Sequence, residues 1–351
     1  MTNKAHKGRG AVSSPIGRFA TRSTEPEEPP TGTAPETILR AMQAKGIISI
    51  NRSPDVPFDR SINPYQGCEH GCVYCYARPS HSYLDLSPGL DFETRIFYKP
   101  NAVARLMEEW EKPGYDCQPI AIGANTDPYQ PAEKKLGITR ELLETFLRFR
   151  HPVSLITKGG LMIRDLDVLA ELASHNLVSV AVSVPTMDAP LKRILEPRVA
   201  DASVRLRLMQ ALREAGVPVS LLVAPVIPAI NDKEIEAIVA EAAAHGASRA
   251  SWILLRLPHE LKQIFRDWLE THLPERAAHV MSLLRQASGG GDYDSRFGAR
   301  QTGRGAYASM IGDRFRAACR RHGLNVGEGS GPLDCTKFRR PGQRQMALGF
   351  D

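Results

Sequence analysis

Three of the chain's six cysteines, Cys68, Cys72 and Cys75, fall within eight residues of the stretch NPYQGCEHGCVYCYARPS (63–80). Thiolates spaced x3 and then x2 on one loop can face a common point, and Gly67 and Gly71 permit the tight bend this requires. Three chemistries use such a loop. A structural zinc site takes four ligands, so His70 or His81 would have to join the thiolates. A dithiol redox pair would use Cys72 and Cys75 and leave Cys68 without a role. A four-iron cluster takes three thiolates when one iron is meant to stay open to a ligand.

The elements that must carry this loop alternate. "RSINP" leads into the cysteines as a short strand. "PIAIGAN" (119–125), "VSLITKGG", "LVSVAVSVP", "VPVSLLVAPV" and "ASRASWILLRLP" read as five more buried strands, and helical stretches separate the later ones. "TRELLETFLRF" has Leu142, Leu143, Phe146 and Phe149 on one face with Thr139 as its cap; "NDKEIEAIVAEAAAHG" has Asn231 as cap and Gly246 as stop. Parallel strands joined by crossover helices predict an α/β fold, a (β/α) barrel or part of one, with functional groups on loops after the strands. The cysteines follow the first strand. The Pro-, Thr- and Glu-rich residues 1–36 are expected to be a disordered extension, "ETILRAMQAKG" a short helix, residues 37–288 the barrel domain, and residues 289–351 a basic, helical segment packing on or capping it.

The spacing Cys68-x3-Cys72-x2-Cys75, with Tyr74 before the third cysteine and a first strand ahead of it, resembles the signature of radical S-adenosylmethionine (SAM) enzymes. That resemblance implies a partial (β/α)6 TIM-type barrel over about residues 58–260, a [4Fe–4S] cluster held by the three cysteines, and SAM at the open iron. It also implies reductive cleavage of SAM, a hydrogen taken from substrate, and a reductant such as flavodoxin or ferredoxin. "SINPYQGCEHGCVYCYAR", "TDPYQPAE", "ITKG" and "LEPRVADASVRLRLMQAL" are similar, more narrowly, to the spore photoproduct lyase-like (DNA repair photolyase-like) branch.

SAM carries an ammonium, a sulfonium, a carboxylate and a ribose, and the resemblance places their partners after the second to fifth strands. Asp127 is the candidate for the ammonium, against a plain turn role before Pro128. Lys158 is similar to the lysine that the branch aims at the SAM carboxylate, and Ser183 resembles its fourth-strand serine. Arg198, in Glu196-Pro197-Arg198, would grip a carboxylate bidentately or form an ordinary surface ion pair. Tyr74 completes the cofactor-binding set. One departure concerns the hydrogen donor. The lyases place a cysteine beside the end of the second strand, where this chain has Ala124-Asn125-Thr126; Cys117, Cys319 and Cys335 lie elsewhere. Repair of a thymine photoproduct is therefore in doubt while the SAM chemistry is not.

The 351 residues carry a net charge of +6, with 42% hydrophobic and 24% charged residues, as in ordinary globular proteins. The charge is uneven: residues 289–351 hold eleven basic against six acidic residues. Arginines interleaved with Phe297, Tyr307 and Phe338, and the run "FRRPGQR", would suit either nucleic-acid phosphates or a docked helix with its basic face in water. The absence of a long apolar run and of an apolar leader predicts a cytoplasmic monomer without membrane contact. A nucleic-acid base is one substrate class open to such an enzyme. A peptide or small metabolite, or a nucleic-acid-binding protein with a structural cluster, are the competing readings.

Overall fold

Each expected strand forms, and each ends where its sequence turns from β-branched and aliphatic residues to Gly, Pro, Asn or a charged residue. In the computed structural model, which describes residues 5–20, 35–326 and 331–342, six parallel strands run in chain order: β1 (Arg60–Ile62), β2 (Ile120–Ile122), β3 (Val153–Thr157), β4 (Val178–Ser183), β5 (Val219–Val226) and β6 (Arg249–Leu254). Strand Ile48–Ile50 adds antiparallel to the outer edge of β1. The register is continuous, with Ile62 opposite Ile122, Ile122 opposite Leu155, and Val182 opposite Leu221. This is the partial (β/α)6 barrel expected. In β3, β4 and β5 buried residues alternate with half-buried ones and both sets are mostly apolar or small, so these strands read as apolar runs, while β6 exposes Arg249 and Ser251.

Helices Ile138–Arg148, Leu166–Ser174, Ala202–Glu214 and Ile235–Ala244 cover the outside, each burying its apolar stripe in the main core. Two caps differ from expectation. Gly137 precedes the first of these helices, and the Thr139 hydroxyl donates to the Pro128 carbonyl at 2.8 Å. Asn231 stands before a short 3-10 turn, and its side chain ties Ile227, Pro185 and Pro225 together after β5.

The expected helix over "ETILRAMQAKG" is a correction. Ile38–Ala41 is a strand parallel to Arg95–Tyr98, and Asn101 brackets the Ala44 amide and carbonyl. Helix propensity is a weak local preference, and a free strand edge at residues 95–98 outweighs it. The disordered extension is corrected in part. Residues 1–4 and 21–34 lie outside the described residues, but residues 5–20 are ordered, with Ala11 and Val12 buried in the same cluster as Cys72 and Val73.

Part of the C-terminal segment packs on the barrel. Helix Gly305–Arg321 buries Ile311, Phe315 and Ala318 in the main core. Asn325 then bonds both the amide and the carbonyl of Ala250, at 2.9 Å each, and covers the free edge of β6. Among the described residues no helix is long and apolar enough to cross a membrane.

Candidate active site

The cysteine loop leaves β1 at the end where loops from all the parallel strands gather. Cys68 and Cys72 are buried and Cys75 is partly so. Burial raises all three thiols above their ordinary pKa, and mutual proximity adds to this: Cys68 feels Cys72 and Cys75, and Cys72 feels Cys75. Three thiols that disfavour each other's ionisation are ready to be neutralised by metal. Yet among the described residues no three His, Cys, Asp or Glu side chains are arranged to hold one metal ion. Donors to a single zinc must converge within about 2.3 Å of one point. Three thiolates are the donor set of a four-iron cluster that keeps one iron open, whereas a structural zinc takes four ligands.

The loop's shape is set from behind. Gly71 adopts a φ of +67°, and a Cβ there would lie 2.7 Å from Glu93 Oε2. Gly10, from the N-terminal strap, comes so close that a Cβ would meet the Gly71 carbonyl oxygen at 1.9 Å. Arg78 donates to the carbonyls of Cys72 (2.9 Å), Gly71 (3.2 Å) and Gly89 (2.9 Å). Gln130 holds the other flank, donating to the Gly67 carbonyl and accepting from the Glu69 amide. Leu195 accepts from the Val73 amide at 3.0 Å, which fastens the loop to the segment after β4.

The structure brings Tyr74 and Lys158 together with the cysteines. The Lys158 ammonium stands 5.7 Å from the Tyr74 ring centre, and its charge lowers the pKa of both Cys72 and Cys75 against the upward effect of burial. The Tyr74 hydroxyl donates to Glu196, and Arg205 pairs with Glu196 at 2.7 Å, all inside the protein. Burial works against an ionised Glu196, but Arg205 and then Lys158 outweigh it and lower its pKa. Burial, followed by Cys72 and Glu196, pushes the Tyr74 phenol far up, so it is a neutral donor.

Asp127 has both oxygens engaged by the protein. Oδ1 accepts from the Tyr129 amide (2.9 Å) and the Thr157 hydroxyl (2.7 Å); Oδ2 accepts from the Lys158 amide (2.7 Å) and lies 3.4 Å from His70 Nδ1, without hydrogen-bond geometry. Burial alone would raise its pKa, but His70 and these donors bring it down to about 2. Asp127 is thereby a clasp joining the β2 loop, the end of β3 and the cysteine loop. Ser183 is likewise occupied: its hydroxyl donates to the Ala224 carbonyl at 3.1 Å and its carbonyl accepts from Arg205 at 2.7 Å. Arg198 stands apart. It pairs with Glu69 at 3.0 Å and lines a separate cavity of about 390 Å³ with Lys7, Arg9 and Glu36, on the strap side of the loop. A larger cavity of about 660 Å³ lies at the foot of helix Pro274–Ala287 and contains none of the cysteine-loop residues.

A family model for the radical SAM superfamily matches residues 62–242. The chain belongs to the radical SAM superfamily. An uncharacterized protein of Mycobacterium tuberculosis is 36% identical over 261 residues, covering 71% of this chain and 77% of that protein. An uncharacterized protein of Methanocaldococcus jannaschii is 26% identical over 193 residues, covering 55% of this chain and 69% of that protein. Among solved structures, a spore photoproduct lyase variant superposes with a TM-score of 0.59 at 15% identity, covering 88% of this chain and 87% of that one. Spore photoproduct lyase in complex with its dinucleoside photoproduct gives 0.59 at 16% identity, covering 82% and 80%. These likenesses show the radical SAM fold in this chain.

Two site residues carried no local signal in the sequence. Arg78 is fully buried behind the radical SAM loop, and Gln130 is fully buried beside it. Each follows a motif already of interest, in "CYAR" and "DPYQ", and their burial as polar residues marks them only once the fold is known. The spare cysteines are placed as well. Cys117 precedes β2, at the far end from the radical SAM loop, and Cys319 is buried in helix Gly305–Arg321. At the end of β2, the Tyr76 hydroxyl donates to the Ala124 carbonyl, and no thiol stands there.

Proposed function

We propose that the chain is an enzyme in which Cys68, Cys72 and Cys75 hold three irons of a [4Fe–4S] cluster and the open iron faces SAM. The observation that carries this is three thiols, two buried and one partly so, gathered on one loop with the Lys158 ammonium beside them. Cys68, Cys72 and Cys75 would hold the cluster, which when bound would supply the electron for reductive cleavage of SAM and so the oxidising power to take a hydrogen from substrate.

The chain's own residues bind and orient. Lys158 is the partner for the SAM carboxylate, since its amide is fixed by Asp127 while its ammonium reaches over Tyr74. Tyr74, held by Glu196, forms the wall between that ammonium and Cys72. Ser183 and Asp127 position strand ends. Arg198 is left to the outer face of the loop. The strap and the segment after β6 close the site: Arg18 pairs with Glu260 at 3.2 Å, which brings residues 5–20 against the start of helix Leu261–His272 and helps exclude water. Lyase-like chemistry on a nucleic-acid base is the substrate class to test first, because the fold matches spore photoproduct lyase. The missing thiol at Ala124 argues that any hydrogen return differs from the lyases'.

Anaerobic reconstitution, reduction with dithionite and assay for 5′-deoxyadenosine with and without damaged DNA test this reading. About four irons and four sulfides per chain are expected, with loss of both in Cys68→Ala, Cys72→Ala or Cys75→Ala. Stoichiometric zinc without iron in protein purified free of air would overturn it.

A further inference from the structure

Residues 331–342 are fastened across the base of the barrel, away from the cysteine loop. The Asp334 amide donates to the Asn176 carbonyl at 2.9 Å, and Lys337 Nζ donates to the His175 carbonyl at 2.9 Å. The Arg339 amide donates to the Phe149 carbonyl at 2.8 Å, and the Arg340 guanidinium to the Tyr115 carbonyl at 3.2 Å. The Phe338 ring packs between Trp110, Tyr115 and His151, with ring centres 5.0 to 5.7 Å away. These contacts fix the tail on both sides of Cys335. They set it against the segment Tyr115–Cys117, which the Arg60 guanidinium holds from below by stacking on Tyr115.

These anchors make Cys117 and Cys335 neighbours although more than two hundred residues separate them, and a hydrogen bond links the two thiols. Both are partly exposed, unlike Cys319, so a small oxidant can reach them. Neither belongs to the site above. We propose that Cys117 and Cys335 form a reversible disulfide that bolts the C-terminal tail to the base of the barrel. The site is independent of the cofactor reading, since no cluster ligand takes part.

The chemistry balances with a disulfide such as oxidised glutathione as the oxidant. One protein thiolate attacks a glutathione sulfur, forming a mixed disulfide and releasing one glutathione. The second protein thiolate attacks the protein-side sulfur of that bond, forming Sγ–Sγ and releasing the other glutathione. Two protein thiols lose two electrons, the glutathione disulfide gains them, and the two protons pass to the departing thiolates. Burial, together with the neighbouring thiol, raises the Cys117 pKa, and burial raises that of Cys335. Both thus rest protonated at neutral pH, and the exchange accelerates as pH rises.

The bond would close a loop containing β2 to β6, and a long closed loop removes much freedom from the unfolded chain. The test uses full-length, anaerobically reconstituted protein treated with oxidised glutathione, blocked by alkylation, digested without reduction and analysed by mass spectrometry. The expected result is a peptide pair joining Cys117 to Cys335, and a melting temperature raised by roughly 5 °C over the reduced protein. Cys335→Ser and Cys117→Ser, treated alike, should show neither, while their reduced forms melt like the reduced wild type. Recovery of the two cysteines separately alkylated or separately glutathionylated, up to about pH 9, would overturn the proposal. So would a cross-linked protein that melts no higher than treated Cys335→Ser.

Discussion

Arg78 and Glu93, neither exposing any surface, form an ion pair directly behind the three cysteines. The pair does not stand alone. Arg78 spends its remaining donors on the carbonyls of Gly71, Cys72, Pro88 and Gly89, and Glu93 accepts the amides of Gly10 (3.0 Å) and Ala11 (2.8 Å). One buried pair thus shapes the loop and seats the N-terminal strap upon it.

Removing one partner leaves a buried charge without compensation, which typically costs about 3–5 kcal/mol. Glu93→Ala and Arg78→Met should each lower stability by that order and lose iron during reconstitution. The double variant should lose less than the sum, because the two changes remove one shared interaction. Denaturant unfolding with iron analysis decides the matter. Single variants that keep wild-type midpoints and full iron would show that the loop holds its shape without the pair.

The pair also marks how far the sequence could be read. The six parallel strands were legible because strands largely covered on both faces are mostly apolar, and their lengths and flanking turn residues separate them from helices. The cysteine loop was legible because its spacing is local. Residues 5–20 and 38–41 were not: their order comes from Glu93, from the strand Arg95–Tyr98 and from Gly71, all distant in the chain. Asp127 stood out in the sequence, but the bonds that hold it did not. Nothing near it in sequence announces that Thr157, Lys158 and His70 converge on its two oxygens. The partner of Arg198 was hidden for the same reason, since Glu69 lies far from it in the chain.

Asp127 gives the site an acid limit. Its pKa of about 2 lies below the ordinary 3.8, so its bonds stabilise the fold fully above the unfolded value and are lost as pH falls from about 4 toward 2. A shift of that size corresponds to about 2 kcal/mol. Asp127→Asn should lower stability at neutral pH and flatten the acid branch of the stability curve in that window. Identical acid branches for variant and wild type, measured by urea unfolding at a series of pH values, would remove Asp127 as the clasp.

Lys158 separates ligand binding from cluster assembly. It is no cluster ligand, so Lys158→Ala should retain iron and its absorbance while weakening SAM binding by roughly 10- to 100-fold, the usual worth of a charge-assisted hydrogen bond. Lys158→Arg should recover part of this, because the charge remains though the geometry changes. Calorimetric titration of anaerobic protein with SAM makes the comparison. Unchanged affinity in the alanine variant would return the ammonium to solvent.

The C-terminal tail offers a choice between docking and nucleic-acid contact. Phe338 sits in an aromatic cluster, Tyr307 donates to Asp232, and the Arg340 guanidinium is bonded to the barrel; Phe297, unlike Phe338 and Tyr307, is well exposed, and Arg344 lies outside the described residues. A residue already committed to the barrel has little left for phosphate. Phe338→Ala should therefore cost about 2 kcal/mol, less than a fully buried ring because Phe338 is only partly covered. Replacing Arg339 and Arg340 with Ala should leave unchanged the salt dependence of whatever retention the protein shows on duplex DNA. Each lost phosphate contact would otherwise flatten the slope of log affinity against log salt by about 0.9. A flattening of that size in the double variant, with Phe338→Ala neutral, would make the tail a nucleic-acid arm rather than part of the barrel's base.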